Sequence, residues 1–353
     1  MNFHHDEFQL ARSYSQNHAF ELLAPAQVHQ IKTRGRNLHA WFRSHSLIHV
    51  VISISVILSI FAADWFGFVN LARWILSSHH GMPALILTAI FVGVAHSWLL
   101  YTLAVYSLHE GAAHNLIFPG SGPVSRVASF LAENLCRLSN AEPHPYSETH
   151  ISHHASFGTE RDAEFLNFVF PHRLGAMLLP LASFFNYSDF YVHRSPSFTR
   201  STALSLAISA AYTLCYLSLL YKLFGLLFPI IVFLLLPHVG FQLDRLRQYT
   251  EHNLMPLDST SGARSLGVGF WGLLVGGGPW GQPCHMAHHM VPSIPWYQQI
   301  LLHRSIVRLL TPDQHKQFLL RPFIGFPLLL FTLIRDANRL ARTAPARLSL
   351  TSE

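Results

Sequence analysis

An all-α integral membrane protein, with about four transmembrane helices and a cytosolic helical cap holding a histidine-rich di-metal site, is the architecture this sequence predicts. Three observations predict it. Half of the 353 residues are hydrophobic and only 12% are charged, about half the ~25% charge of a soluble domain. Four stretches are apolar over the ~20 residues that a helix needs to cross a bilayer. Finally, eight histidines fall in three tight clusters: His109-Glu-Gly-Ala-Ala-His114, His150-Ile-Ser-His153-His154 and His285-Met-Ala-His288-His289.

Residues 1–45 form a polar head with His4, His5, Asp6 and Glu7 near its start and no cleavable signal pattern. The four spans lie near residues 48–68, 84–107, 203–221 and 224–241. Only Lys222 and Leu223 separate the last two, which predicts a tight hairpin there. Of the 24 Lys and Arg, only Arg73 falls between the first two spans and only Lys222 between the last two. By the positive-inside rule both termini and the segments 108–200 and 242–335 are therefore cytoplasmic. All three clusters fall on that face. Phe170–Phe185 and Phe323–Ile334 are apolar but interrupted, and read as interfacial helices. Residues 46–335 form one membrane domain, and 336–353 are a basic tail.

The net charge of +6 is spread along the chain with no nucleic-acid recognition motif, and topology accounts for it. Cys136, Cys215 and Cys284 are too few and too widely spaced for a disulfide framework or a CxxC metal site.

Imidazole is a ligand for transition metals. On a helix, positions i, i+3 and i+4 share a face. His150, His153 and His154 therefore project together, as do His285, His288 and His289. His109 and His114 are five apart, ~140° around an ideal α-helix. They converge if the helix bends or unwinds after Gly111, or they ligate from two sides of a site beneath the helix end. Just after the last span, Gln248-Tyr-Thr-Glu251-His252 supplies a ninth imidazole, with Gln248 on the same helical face. Nine exceed what one metal uses, since zinc usually takes four ligands. Two metals of five or six coordination account for them. A nitrogen-rich, open site suits iron better than zinc, while ligand count alone leaves manganese or a mixed site open.

With these residues the chain resembles the membrane-bound fatty acid desaturase and hydroxylase superfamily, di-iron and oxygen-dependent. Asp162 follows the second box as an acidic residue does in these desaturases. The run His285-Met-Ala-His288-His289-Met-Val-Pro-Ser-Ile-Pro-Trp-Tyr297 is similar to the family's third box and its Pro-x-x-Pro-Trp-Tyr continuation. Gln248–His252 is similar to the Asn-x-x-x-His element of acyl-CoA desaturases and to the Glu-His element of bacterial desaturases and alkane hydroxylases. The chain departs from many acyl desaturases at Ala287, where they carry Glu or Gln. It departs from acyl-CoA desaturases at Gln248, where they carry Asn.

The resemblance implies two Fe ions held by His109, His114, His150, His153, His154, His252, His285, His288 and His289, with O2 as co-substrate. It implies removal of hydrogen from an unactivated CH2-CH2 of a fatty acyl or similar lipid-like substrate. Glu110, Asp162 and Glu251 are candidates to orient ligating histidines, which usually donate their second N–H to a carboxylate or carbonyl. Gln248 is a candidate to reach a metal through water. No fused cytochrome b5 motif or flavin domain accompanies the boxes. An external donor of ferredoxin, rubredoxin or cytochrome b5 type, with its reductase, is the expected electron source. The resemblance leaves the carrier of the acyl group open among CoA, acyl carrier protein and a phospholipid. Hydroxylation, ketolation or acetylene formation on the same scaffold, with an acyl or carotenoid-like substrate, is the alternative. A transition-metal transporter is a distant one, because its ligands belong near the bilayer midplane. A zinc hydrolase of HExxH type lacks its glutamate here.

Overall fold

The computed structural model describes residues 12, 15–16, 18–77, 81–117, 122–138, 143–159, 161–162, 200–320 and 325–343. The interfacial helix expected over Phe170–Phe185 and the tail from 344 onward lie outside them. Among the described residues the structure is helical, with no strand; one isolated parallel bridge joins Ser265 to Leu319.

In chain order the helices are α1 (Pro25–Ser44), α2 (Ser46–Ala62), α3 (Asn70–Ser77), α4 (Met82–Val105), α5 (Pro123–Leu138), α6 (Pro143–Ser156), α7 (Arg200–Phe224) and α8 (Leu227–His252). They continue as α9 (Phe270–Val275), α10 (His285–Met290), α11 (Trp296–Leu309), α12 (Pro312–Phe318) and α13 (Gly325–Thr343). Two π-helical segments, Ala63–Val69 and Tyr106–Ala113, continue α2 and α4 without a break.

The chain divides into two compact units. One comprises Phe42–Ser147 and Ser183–Gln242. It contains two continuous stretches, Ser46–Ile75 and Met82–Ala113, long and apolar enough to cross a membrane. Their outward faces carry Val51, Leu58, Phe66, Leu87 and Phe91, all exposed. A soluble core helix would bury such residues; a lipid-facing helix presents them to hydrocarbon. Ala210–Phe224 is a further, shorter apolar helix. The inner faces pack Val69, Val92, Leu100, Leu220, Phe224 and Phe228 into one cluster. Two sets of polar contacts sit among these apolar residues. His49 bonds the Leu116 carbonyl and Ser53. His96 is held between Asp64 and the Tyr216 hydroxyl. Polar side chains in a span need such partners, because lipid offers none.

The hairpin between the third and fourth apolar stretches corrects the expected break at Lys222–Leu223. Helix α7 runs through both residues to Phe224, and the chain turns at Gly225, which has φ +76°. Its N–H still bonds the Tyr221 carbonyl at 2.9 Å, closing the last helical turn. Only glycine enters the left-handed region without cost, so Gly225 sets the break. The charge of Lys222 does not.

The other unit comprises Met1–Trp41, Glu148–Ala182 and Leu243–Glu353. Its core joins α1, α10, α11 and α12 through Ile31, Leu38, Met286, Ile294, Leu302 and Phe318. A capping box, Thr311 with Gln314, starts α12. Two further clusters pack α13, one through Phe326 and one through Leu333, while Leu328 and Phe331 on its opposite face are exposed.

A Cβ at Gly225 would meet no atom within 4 Å, so the strain of substitution there is purely conformational. Gly225→Val should therefore destabilise the purified protein by about 1–2 kcal/mol, and Gly225→Asn by less. Thermal unfolding in detergent measures both; equal melting temperatures for valine and wild type would remove the turn from this role.

Candidate metal centre

Box one lies on a π-helix. In the segment Tyr106–Ala113 the His114 N–H bonds the His109 carbonyl at 3.1 Å. That i→i+5 closure stacks residues five apart over one another, as the α-helix cannot. The two rings lie 4.8 Å apart between centroids. The bend expected after Gly111 is thus a change of helix type that begins before the box. Glu110, fully buried, has Oε1 3.6 Å from His109 Nδ1.

The other boxes belong to the second unit. Helix α6 carries His150, His153 and His154, and the short α10 carries His285, His288 and His289. His252 is the last residue of α8. Their Nε2 atoms converge in two groups. In the first, His154 lies 3.2 Å from His150 and 2.7 Å from His288. In the second, His285 lies 2.7 Å from His252 and 3.0 Å from His289, and His289 lies 3.4 Å from His153. His153, His252 and His289 each offer a ligand nitrogen within 4.8 Å of the others.

The outer nitrogens decide which proton each ring keeps. His153 Nδ1 donates to Asp162 Oδ1 at 2.8 Å, and both residues are buried. His252 Nδ1 donates to the Gly262 carbonyl at 3.0 Å. Each ring therefore carries its proton on Nδ1 and turns an Nε2 lone pair inward. Gly262 is fixed by packing as well. A Cβ there would stand 2.1 Å from the Phe157 ring, and Phe157 packs edge-on against His153 and His289.

Burial, and then repulsion from neighbouring imidazoles, holds His252, His285 and His289 well below the usual histidine range; His150 is lowered by burial and then by His153. These rings are neutral at pH 7 and ready to bind a cation. Cys284 precedes His285, but burial pushes its thiol up to about 12, so it stays protonated and packs in the core.

Several further residues complete the description. Gln248 is buried one turn before His252. Glu251 is fully buried; its Oε2 accepts from Arg247 Nη1 at 2.8 Å and lies 3.5 Å from His285 Nε2. Arg247 Nη1 also donates to Gln282 Oε1 at 2.9 Å. Sequence reasoning missed Arg247 and Gln282. The i, i+4 spacing of Arg247 and Glu251 on one helix was a readable signal, whereas Gln282 sits in a loop with none. Trp280, Trp296 and Tyr297 lie half-buried beside one another, with ring centroids 6.4 Å and 5.7 Å apart for the successive pairs.

The donor set fits transition metals: seven imidazoles lie within one unit, and two of them, His153 and His252, turn Nε2 lone pairs inward and are held by outer hydrogen bonds. Asp162→Asn should weaken metal retention by about 10–100-fold, since it removes the carboxylate that holds His153. Competition with a chelator measures this, and retention equal to wild type would free Asp162 of the role.

Comparison with known families gives one match. The sequence pattern of the family described as fatty acid desaturase covers residues 84–321, well over half of the chain. No curated protein matches, and no solved structure does. The matched segment contains all three histidine boxes and His252, and the chain belongs to the fatty acid desaturase family.

Proposed function

We propose that this protein is an oxygen-dependent di-iron oxidoreductase that removes two hydrogens from an unactivated CH2-CH2 of a fatty acyl or similar lipid-like chain. The observation that carries this reading is the convergence of imidazole Nε2 atoms in two groups within a chain of the desaturase family. Nine histidines form the proposed ligand set. Seven are those of the second unit described above; His109 and His114 are added by the box pattern and the family. Iron, when bound, supplies the reduction of O2 and the oxidising power that C–H cleavage needs.

The chain's own residues have three tasks. His153 and His252 are kept in one tautomer by Asp162 and Gly262, so their inward nitrogens stay free of protons. Burial of His150, His153, His285 and His288 keeps bulk water from the oxidant. Phe157, against His153 and His289, walls the second histidine group with a ring that carries no polar atom.

The proposed topology follows from the Lys and Arg distribution: both termini and the metal centre on the cytoplasmic face. Electrons come from a separate ferredoxin, rubredoxin or cytochrome b5 type carrier. The substrate is carried on CoA, acyl carrier protein or phospholipid. Desaturation is favoured over hydroxylation, ketolation or acetylene formation by the Pro-x-x-Pro-Trp-Tyr run that ends at Tyr297.

Purified protein should contain about two irons per chain, on the argument that nine imidazoles exceed one ion's needs. It should consume O2 when given reduced ferredoxin. Zinc alone with no O2 uptake would sink the reading. His154→Ala and His289→Ala should each abolish turnover while the protein still inserts in membranes. Mass spectrometry of lipids from an expressing host identifies the product: loss of two hydrogens for desaturation, gain of oxygen for hydroxylation.

A further inference from the structure

Three carboxylates approach the histidine boxes, and they approach from different sides. Asp162 meets His153 at Nδ1, 2.8 Å away. Glu110 faces His109 at Nδ1, 3.6 Å away. Both stand behind their rings, where an orienting partner belongs. Glu251 differs: its Oε2 lies 3.5 Å from His285 Nε2, the nitrogen that also faces His252 and His289. His285 Nδ1 makes no hydrogen bond, so Glu251 is not an outer support for that ring. It stands beside the Nε2 edge of His285, the edge that faces His252 and His289.

The spacing suits shared coordination. Donor atoms bound to one ion at ~2.1 Å stand about 3.0–3.5 Å apart. The distances around His285 Nε2, 2.7, 3.0 and 3.5 Å, fall in or near that range. The carboxylate is also held in place. Arg247 Nη1 contacts the same Oε2 at 2.8 Å and is itself anchored by Gln282 Oε1 at 2.9 Å. A carboxylate oxygen has two lone pairs, one for the guanidinium and one for a metal. Asp244 takes the other side of the Arg247 guanidinium at 2.8 Å.

We propose that the Glu251 carboxylate is a direct ligand of the metal bound by His153, His252, His285 and His289, with Arg247 and Gln282 as its positioning residues. This rests on the di-metal reading above. It makes one of the two ions chemically distinct from the other: the second histidine group carries an anionic oxygen, and the group of His150, His154 and His288 is nitrogen only.

Mössbauer spectra of the 57Fe-loaded protein test this. Wild type should show two quadrupole doublets from two irons per chain. Glu251→Gln, close in size but neutral, should change the parameters of one doublet and leave the other in place. It should also speed loss of one iron to a chelator at least tenfold. Glu251→Asp keeps the carboxylate and should hold both irons. Two unchanged doublets in Glu251→Gln would overturn the assignment. Where Glu251→Gln does not fold, infrared difference spectra of wild type with 13C-labelled glutamate decide. A labelled carboxylate band that shifts on iron loading supports direct ligation, and no such band overturns it. Wild type without two irons would instead overturn the di-iron reading itself.

Discussion

Neutral imidazoles that point Nε2 lone pairs at one another repel, and burial denies them the water that would relieve it. In the second unit His153 and His252 present such lone pairs, and the Nε2 atom of His252 lies 2.7 Å from that of His285. A cation bound between the nitrogens would turn that repulsion into attraction and so couple metal binding to the folding of this region. Without the ion, the cost must be carried by the surrounding structure. Asp162, the Gly262 carbonyl, the Phe157 ring and the apolar packing of Met286 and Ala287 behind α10 supply the restraint. The buried pair of Arg247 and Glu251 belongs to the same restraint. Removing one partner of such a pair costs about 3–5 kcal/mol, because the other is left charged and buried.

Helix type matches the spacing of the first histidine box in the first unit. A five-residue interval does not fit an α-helix, and Tyr106–Ala113 adopts i→i+5 bonding where the first box sits. π-Helical turns are costly and concentrate at functional sites. A second π-helix, Ala63–Val69, carries Asp64, which meets His96 across the apolar interior. Polar groups therefore stand at both places where the long apolar helices leave regular geometry. In hydrocarbon every such group needs a fixed partner, so these contacts also fix how the helices pack.

Much of this was legible in the sequence, for definite physical reasons. The 3,4 spacing of two boxes fixes a shared helical face, and the structure has that face on α6 and α10. His252 was legible because it ends a helix in register with Gln248. Three features were not. The π-helix is a hydrogen-bonding choice that no residue in His109–His114 dictates; a bend after Gly111 was as far as the pattern reached. The hairpin was expected around Lys222 and Leu223, the two residues between the apolar stretches, whereas the decisive residue is Gly225, through its backbone conformation. The three carboxylates looked alike in sequence, and only the ring nitrogen each one faces separates Glu251 from Asp162 and Glu110.

The same distinction bears on the two positions where the chain departs from acyl desaturase patterns. Ala287 sits between His285 and His288, which invites a role at the metals. Its side chain is instead fully buried in the apolar cluster with Met286, Ile294 and Leu302. A Glu or Gln there would bury a polar group among hydrocarbon side chains, at ~1–3 kcal/mol if unpaired. Alanine at 287 is thus a consequence of how α10 packs. Gln248 is different. It is buried on the same helix as Arg247, Glu251 and His252, one turn before the last of these. Replacing Asn by Gln there adds one methylene and carries the amide further along that helical face. Of the two departures, only the one at 248 falls on the helix that supplies both an imidazole and a carboxylate.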